Sequence, residues 1–244
     1  VRTADGGTRQ LTGDEVGALL GEWLLANVTA GPGRLVVSTV VSSSLLSKIA
    51  AFHGAHHEET LTGFKWLSRP ALQHPELRQV LAYEEAIGYA IGADARDKDG
   101  LSAAVAVASM ACWEKAGGRT LLDALDALHV RHGAHATENF SLRYEGSGWR
   151  ERRDDALAGL VDATPQRVGD VEVRDVRRLA PDVLRLDLAG DLRVLVRPSG
   201  TEPKLKCYCE AVEAVDAGGV EQARMRAGSR LHAARHALLP LLGG

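Results

Sequence analysis

Five consecutive residues late in the sequence, Arg197-Pro198-Ser199-Gly200-Thr201, hold the parts of a phosphate cradle. An arginine presents a planar fork to two phosphate oxygens. Ser199 and Thr201 each bring a hydroxyl, and Gly200 lets backbone N–H groups come close to an anion. Lys204 and Lys206 add positive charge from the strand that follows. The pattern G-x-x-x-x-G-K-[ST] is absent, which excludes a Walker loop. The same residues also suit a plain hairpin in which Pro198 and Gly200 serve the turn, and both readings stand on the residues alone.

The elements around this stretch set what it can face. Thr12-Gly13-Asp14-Glu15 has the form of a capping box, and Val16, Leu19, Leu20, Trp23 and Leu24 follow at helical spacing. Residues 34–41 are almost continuously apolar, as a buried parallel strand is. A helix over 43–53, short strands over 56–61 and 80–83, and helix and turn over 64–79 continue the alternation. Residues 100–116, rich in alanine and valine, predict a long buried helix, and 120–131 an amphipathic one. This alternation predicts an α/β layer with a mostly parallel sheet, whose ligands lie beyond the carboxyl ends of the strands. Two unusual loops fall there, Thr62-Gly63-Phe64-Lys65 and Glu84-Glu85-Ala86-Ile87-Gly88-Tyr89. The pattern breaks near 132–139. Beyond it, strands at 140–144, 171–176, 183–188, 192–196 and 205–212, with helices at 149–160 and 214–239, predict a smaller α+β domain with an antiparallel sheet.

The totals narrow the class of protein. The 244 residues allow one large domain or two ordinary ones. A net charge of −3 argues against nucleic acid or a membrane as partner, and no apolar run approaches the ~20 residues of a membrane span. Three cysteines without a disulfide pattern suit a reducing cytoplasm. Cys207 and Cys209 alternate along a strand and read as core thiols. His53, His56, His57, Glu58 and Glu59 form the densest metal-like group, but adjacent strand residues face opposite ways, so the expectation is no metal site.

With these residues in place, a resemblance emerges. Arg197-Pro198-Ser199-Gly200-Thr201-Glu202-Pro203-Lys204 is similar to the phosphate-binding loop in the last domain of the α-D-phosphohexomutases, the phosphoglucomutase and phosphomannomutase superfamily. Thr62-Gly63-Phe64-Lys65-Trp66 resembles that family's Thr-Gly-aromatic-Lys segment. Glu84-Glu85-Ala86-Ile87-Gly88 resembles its sugar-binding loop, and Asp97-Lys98-Asp99-Gly100 its Lys-Asp-Gly. Four motifs in order make a specific match.

The resemblance implies the second half of a four-domain enzyme. Residues 1–10 would be a remnant of the preceding domain, 11–136 the α/β sugar-binding domain three, and 137–244 the α+β phosphate-binding domain four. It implies transfer of a phosphoryl group between the 1- and 6-positions of a hexose, through a phosphoserine and a bisphosphate. The serine loop and the Mg²⁺ ligands would lie upstream of Val1, and a hexose 1,6-bisphosphate would serve as activator. The partners implied are a hexose phosphate and the upstream domains, and this half alone would not turn over. Arg197, Ser199, Gly200 and Thr201, assisted by Lys204 and Lys206, would grip the phosphate that does not react. Glu84, with Glu85 beside it, would accept sugar hydroxyls, and Lys65 and Lys98 would serve the transferred group, with Arg96 a weaker candidate. Many members carry serine where this sequence has Ala86. That departure resembles the subgroup that includes phosphopentomutases.

Overall fold

A computed structural model of the chain describes residues 1–3, 5–200 and 202–243. They form two compact units, Val1–His132 and Gly133–Gly244.

In the first unit, α1 (Gly13–Trp23) begins on the capping box: Thr12 Oγ1 accepts from the Glu15 amide, and the Glu15 carboxylate accepts from the Thr12 amide. A single π-helical turn, Leu24–Val28, ends it. There follow β1 (Arg34–Thr39), α2 (Leu45–Phe52), β2 (His56–Thr60), α3 (Phe64–Leu67), α4 (Arg69–Gln73), β3 (Arg78–Glu84), β4 (Gly88–Ile91), α5 (Gly100–Ala116) and α6 (Leu121–His132). The sheet runs β2-β1-β3-β4. β1 pairs in parallel with β2 and β3, and β4 is antiparallel to β3. Leu35 and Val37 pack with Phe64 and Leu67 of α3. Val36, Leu81 and Tyr83 pack with α1, α2, α5 and α6 in a second core. The sheet thus has helices on both faces, and its central strands β1 and β3 are buried as the apolar run of β1 requires.

Two expectations need correction here. The segment read as loop through Tyr89 turns at 85–87 and enters β4 already at Gly88. The expected buried helix α5 buries one stripe only, Ala103, Ala106, Met110 and Glu114. Leu101, Val105 and Trp113 are exposed. A helix apolar all round carries no period that marks its inner face, so the sequence could not show which side is covered.

The second unit contains β5 (Ala134–Arg143), α7 (Trp149–Asp162), β6 (Arg167–Val168), β7 (Val171–Ala180), β8 (Val183–Leu188), β9 (Leu192–Pro198), β10 (Lys204–Glu213) and α8 (Gly219–Leu241). Its six strands run β5-β10-β9-β8-β7-β6, all antiparallel. Strand β5 starts six residues earlier than its apolar pattern predicts, because its first half is held by pairing to β10 rather than by apolar alternation. Alternate residues of β8, β9 and β10 face α7 and α8 in one core that contains Val194, Val196, Leu205, Cys207 and Cys209. Both cysteines are core thiols, as expected, and burial pushes Cys207 up to about 12 and Cys209 higher still.

Candidate functional site

Parallel pairing brings the carboxyl ends of β1, β2 and β3, at Thr39, Thr60 and Glu84, to one edge of the first sheet. The loops 61–63 and 85–87 leave from that edge. At the first, Gly63 holds φ +104°, a conformation that favours glycine, and delivers Phe64 into the core. At the second, Glu84 is almost fully buried. The chain returns to the same place after β4, where the Asp99 amide donates to the Tyr89 carbonyl at 2.8 Å. Asp99 then caps α5 by accepting from Leu101 and Ser102. This return carries Lys98 to Glu84, with Nζ 2.7 Å from Oε1. Lys98 Nζ also lies 5.9 Å from the centre of the Phe64 ring. The hydrogen bond to Glu84, its strongest influence, raises the Lys98 pKa above the usual lysine value.

The structure therefore joins Glu84, Lys98 and the 62–64 loop. Glu85 stands beside them with its backbone amide bonded to Ser42 Oγ at 3.2 Å. Lys65 is exposed, 5.8 Å from the Trp66 ring, and Arg96 is exposed. Neither is drawn to Glu84 by an ion pair among the described residues. Of the histidine group, His53 meets Glu22 at 2.9 Å and His57 meets Ser38 at 2.9 Å.

Beneath this edge lies a buried polar network that sequence reasoning missed. Asp14 Oδ1 accepts from the Ser43 amide at 2.7 Å and from the Tyr83 hydroxyl at 3.1 Å. Thr39 and Ser42 share a 2.7 Å hydroxyl contact, and the Tyr89 hydroxyl donates to the Gly13 carbonyl at 2.9 Å. Burial, then the Asp14 charge, drives the Tyr89 pKa upward, so the phenol stays a donor. The network ties the start of α1 to the turn that carries Glu84 and Glu85. One signal was available: Ser42-Ser43-Ser44, three hydroxyls directly beyond a buried strand.

In the second unit the turn after β9 holds the remaining candidates. The Ser199 amide donates to the Lys204 carbonyl at 2.9 Å, and the Glu202 amide donates to Ser199 Oγ at 3.3 Å. Ser199 is buried, and a hydroxyl can donate as well as accept. A side chain at Gly200 would meet no atom within 4 Å, and its φ lies outside the left-handed range. Thr201 lies outside the described residues. Lys206 stands directly opposite Arg197, and Lys204 opposite Arg143, so these cations share the sheet face turned away from the core. Arg197 lies 5.8 Å from the Tyr208 ring. Lys204 pairs with Glu202 at 2.7 Å and holds that carboxyl below its usual range. Arg153 of α7 donates to the Ser199 carbonyl at 3.4 Å; spacing along a polar helix gave no sign of it.

Comparison with known proteins decides the family. Residues 12–130 match the model for the phosphoglucomutase/phosphomannomutase alpha/beta/alpha domain III, and residues 155–227 match that for the C-terminal domain. The chain belongs to the phosphoglucomutase/phosphomannomutase family. All the candidates just described lie within those matched segments except Arg153 of α7 and Arg143 of β5. Among curated members, a probable phosphoribomutase of Schizosaccharomyces pombe is 31% identical over 84% of this chain and 40% of its own length. A probable phosphomannomutase of Haemophilus influenzae is 32% identical over 86% of this chain and 43% of its own. The human phosphopentomutase is 32% identical over 83% and 38%. The open form of the Paramecium phosphoglucomutase pp63/parafusin superposes with a TM-score of 0.67 at 17% identity, over 98% of this chain and 43% of that one. The chain thus spans about two-fifths of the length of these family members. No helix among the described residues is long and apolar enough to cross a membrane.

Proposed function

We propose that this chain is the substrate-holding half of a sugar-phosphate mutase, in which residues 11–136 bind the sugar and 137–244 bind the phosphate. The observation that carries the reading is Gly200. The space above it is open, and a Cβ there would meet nothing within 4 Å, so its backbone is accessible to an approaching anion. Arg197 and Lys206 on one sheet face supply the charge. In the reaction proposed, a phosphoserine outside the residues of this chain gives its phosphoryl group to a free hydroxyl of a hexose monophosphate. The P–O bond to serine breaks, a P–O bond to the sugar forms, and the hydroxyl proton passes to a base. The bisphosphate reverses, and its other phosphate returns to the serine, so the 1- and 6-phosphates interconvert. Catalysis of this kind is positioning and charge stabilisation.

Within it, Glu84 accepts two sugar hydroxyls, since a carboxylate reads hydroxyls without regard to which end is phosphorylated. Lys98 fixes Glu84 and places a cation beside it, Glu85 lines the same turn, and Lys65 offers a second cation. Ser199, Gly200 and Thr201 enclose the unreactive phosphate, with Lys204 assisting. Mg²⁺ and a hexose 1,6-bisphosphate belong to the whole enzyme. Among the described residues no three His, Cys, Asp or Glu side chains gather where a metal ion could sit. Two observations favour narrower readings. Ala86 in place of serine favours a pentose phosphate as substrate, and the two-fifths coverage favours binding without turnover by this chain alone.

Calorimetric titration with glucose 6-phosphate and inorganic phosphate tests the reading. Loss of one charge-assisted hydrogen bond, about 1.5–3 kcal/mol, predicts that Arg197→Ala weakens both ligands about tenfold to a hundredfold. Equal binding by wild type and variant removes the cradle.

A further inference from the structure

His232 and His236 stand four residues apart on α8. That spacing puts them one turn apart on a single helix face. The face is the outer one, because Leu231, Ala234 and Leu238 form the buried stripe in the core while both histidines are exposed. Their rings meet, with centres 4.4 Å apart and planes at 68°. Neither imidazole has a hydrogen bond or an ion pair among the described residues. Histidines elsewhere are engaged: His53 with Glu22, His57 with Ser38, His74 with Glu58 and Glu76, and His135 with Glu210. Residues 228–240 of the helix hold no carboxylate. Arg235, between the two rings in sequence, reaches Glu138 at 2.7 Å instead.

We propose that His232 and His236 form a surface site for a divalent transition-metal ion of the Cu²⁺ or Ni²⁺ kind, with water in the remaining positions. Imidazole nitrogens suit such ions, whereas Mg²⁺ requires oxygen ligands that this helix face does not offer. With metal–nitrogen bonds of about 2.0–2.1 Å, two imidazoles at a right angle on one ion have ring centres about 4.5 Å apart. The two rings already stand at that separation. Only rotation about exposed side-chain bonds is left to aim their nitrogens, and such rotation is fast. A right angle is the tetragonal geometry of Cu²⁺ and Ni²⁺ rather than the tetrahedral one of structural zinc. The helix is weak at this place, since Pro240 has no N–H for the His236 carbonyl. A bound ion ties the turn at His236 back to the turn before it. The site is independent of the phosphate cradle, because α8 covers the core side of the second sheet and Arg197 and Lys206 lie on the other face.

NMR and calorimetric titration of the full chain with Ni²⁺ tests the site, with Mg²⁺ as the contrasting ion. The variants are His232→Ala, His236→Ala, and His236→Ala combined with Ala233→His. The last keeps the number of histidines but sets the two rings about 100° apart around the helix. All three positions are exposed, so the fold is kept. Below one equivalent, paramagnetic Ni²⁺ is expected to broaden the ring signals of His232 and His236 before those of the remaining histidines. Each variant is expected to weaken Ni²⁺ binding at least about tenfold, as the loss of even a group that only orients a ligand does. Mg²⁺ is expected to leave both rings unmoved. Broadening that begins at other histidines, wild-type affinity in any of the three variants, or an equal response to Mg²⁺ overturns the proposal.

Discussion

Replacing Gly88 by alanine tests whether the carboxylate at the end of β3 is held as described. A Cβ at position 88 would lie 2.9 Å from Glu84 Cγ, 2.9 Å from Phe64 Cε2 and 3.0 Å from Glu84 Oε1. These contacts fall about half an ångström inside ordinary van der Waals range. Phe64 is packed against Leu35, Val37 and Leu67 and has little room to move. Glu84 must therefore swing away, and its 2.7 Å contact with Lys98 goes with it. Overpacking of this kind costs typically about 1–3 kcal/mol. The ion pair adds at most about 1 kcal/mol, because the lysine side chain is 54% exposed and screened by water. Urea denaturation should show a fall of about 1–3 kcal/mol. NMR titration should show the Lys98 ammonium moving back toward the ordinary lysine value, and glucose 6-phosphate affinity should drop in parallel. A variant with unchanged stability and an unchanged Lys98 titration refutes the crowding around Glu84.

Other outcomes follow from the same geometry. The unfolded Cys207 thiol ionises near 9.0 and the folded one near about 12. Between these values the unfolded chain binds fewer protons, so stability falls as pH rises. At pH 10 the loss from this group is about 1.4 kcal/mol relative to pH 8. Cys209 adds to it in the same direction. Denaturation curves of Cys207→Ala should show a shallower decline over that window. Thr12→Ala removes the hydroxyl that caps α1 and should cost about 1 kcal/mol by urea melting. Asp14→Ala leaves the Ser43 amide and the Tyr83 hydroxyl without their buried acceptor. Losing a buried acceptor costs about 1–3 kcal/mol, so this should be the most destabilising of these changes.

What the sequence showed and what it hid follow physical lines. The capping box of α1 is local chemistry over four residues and was readable as such. The apolar run of β1, with loops after its neighbouring strands, placed the edge where Glu84 and the 62–64 loop lie. Pairings that depend on tertiary return were not readable. Lys98 reaches Glu84 because the backbone at Asp99 bonds to Tyr89, a return that residue spacing does not show. Asp14 lies within the capping-box quartet, and nothing local shows that Ser43 and Tyr83 converge on it. The left-handed backbone of Ile87 has no signature in its residue type. In the second unit, Arg197 opposite Lys206 follows from strand register, which alternation predicts. Arg153 beside Ser199 depends on how α7 lies over the strand, which composition does not encode.

The placement of the three thiols gives the chain a built-in chemical clock. Cys112 is exposed on α5 of the first unit, whereas Cys207 and Cys209 are sealed in the core of the second. An alkylating reagent should therefore label one sulfur at once in the native chain. The other two should react only when the second sheet opens, at a rate set by that opening rather than by the reagent. Mass spectrometry of the labelled chain then times the breathing of the second sheet by itself.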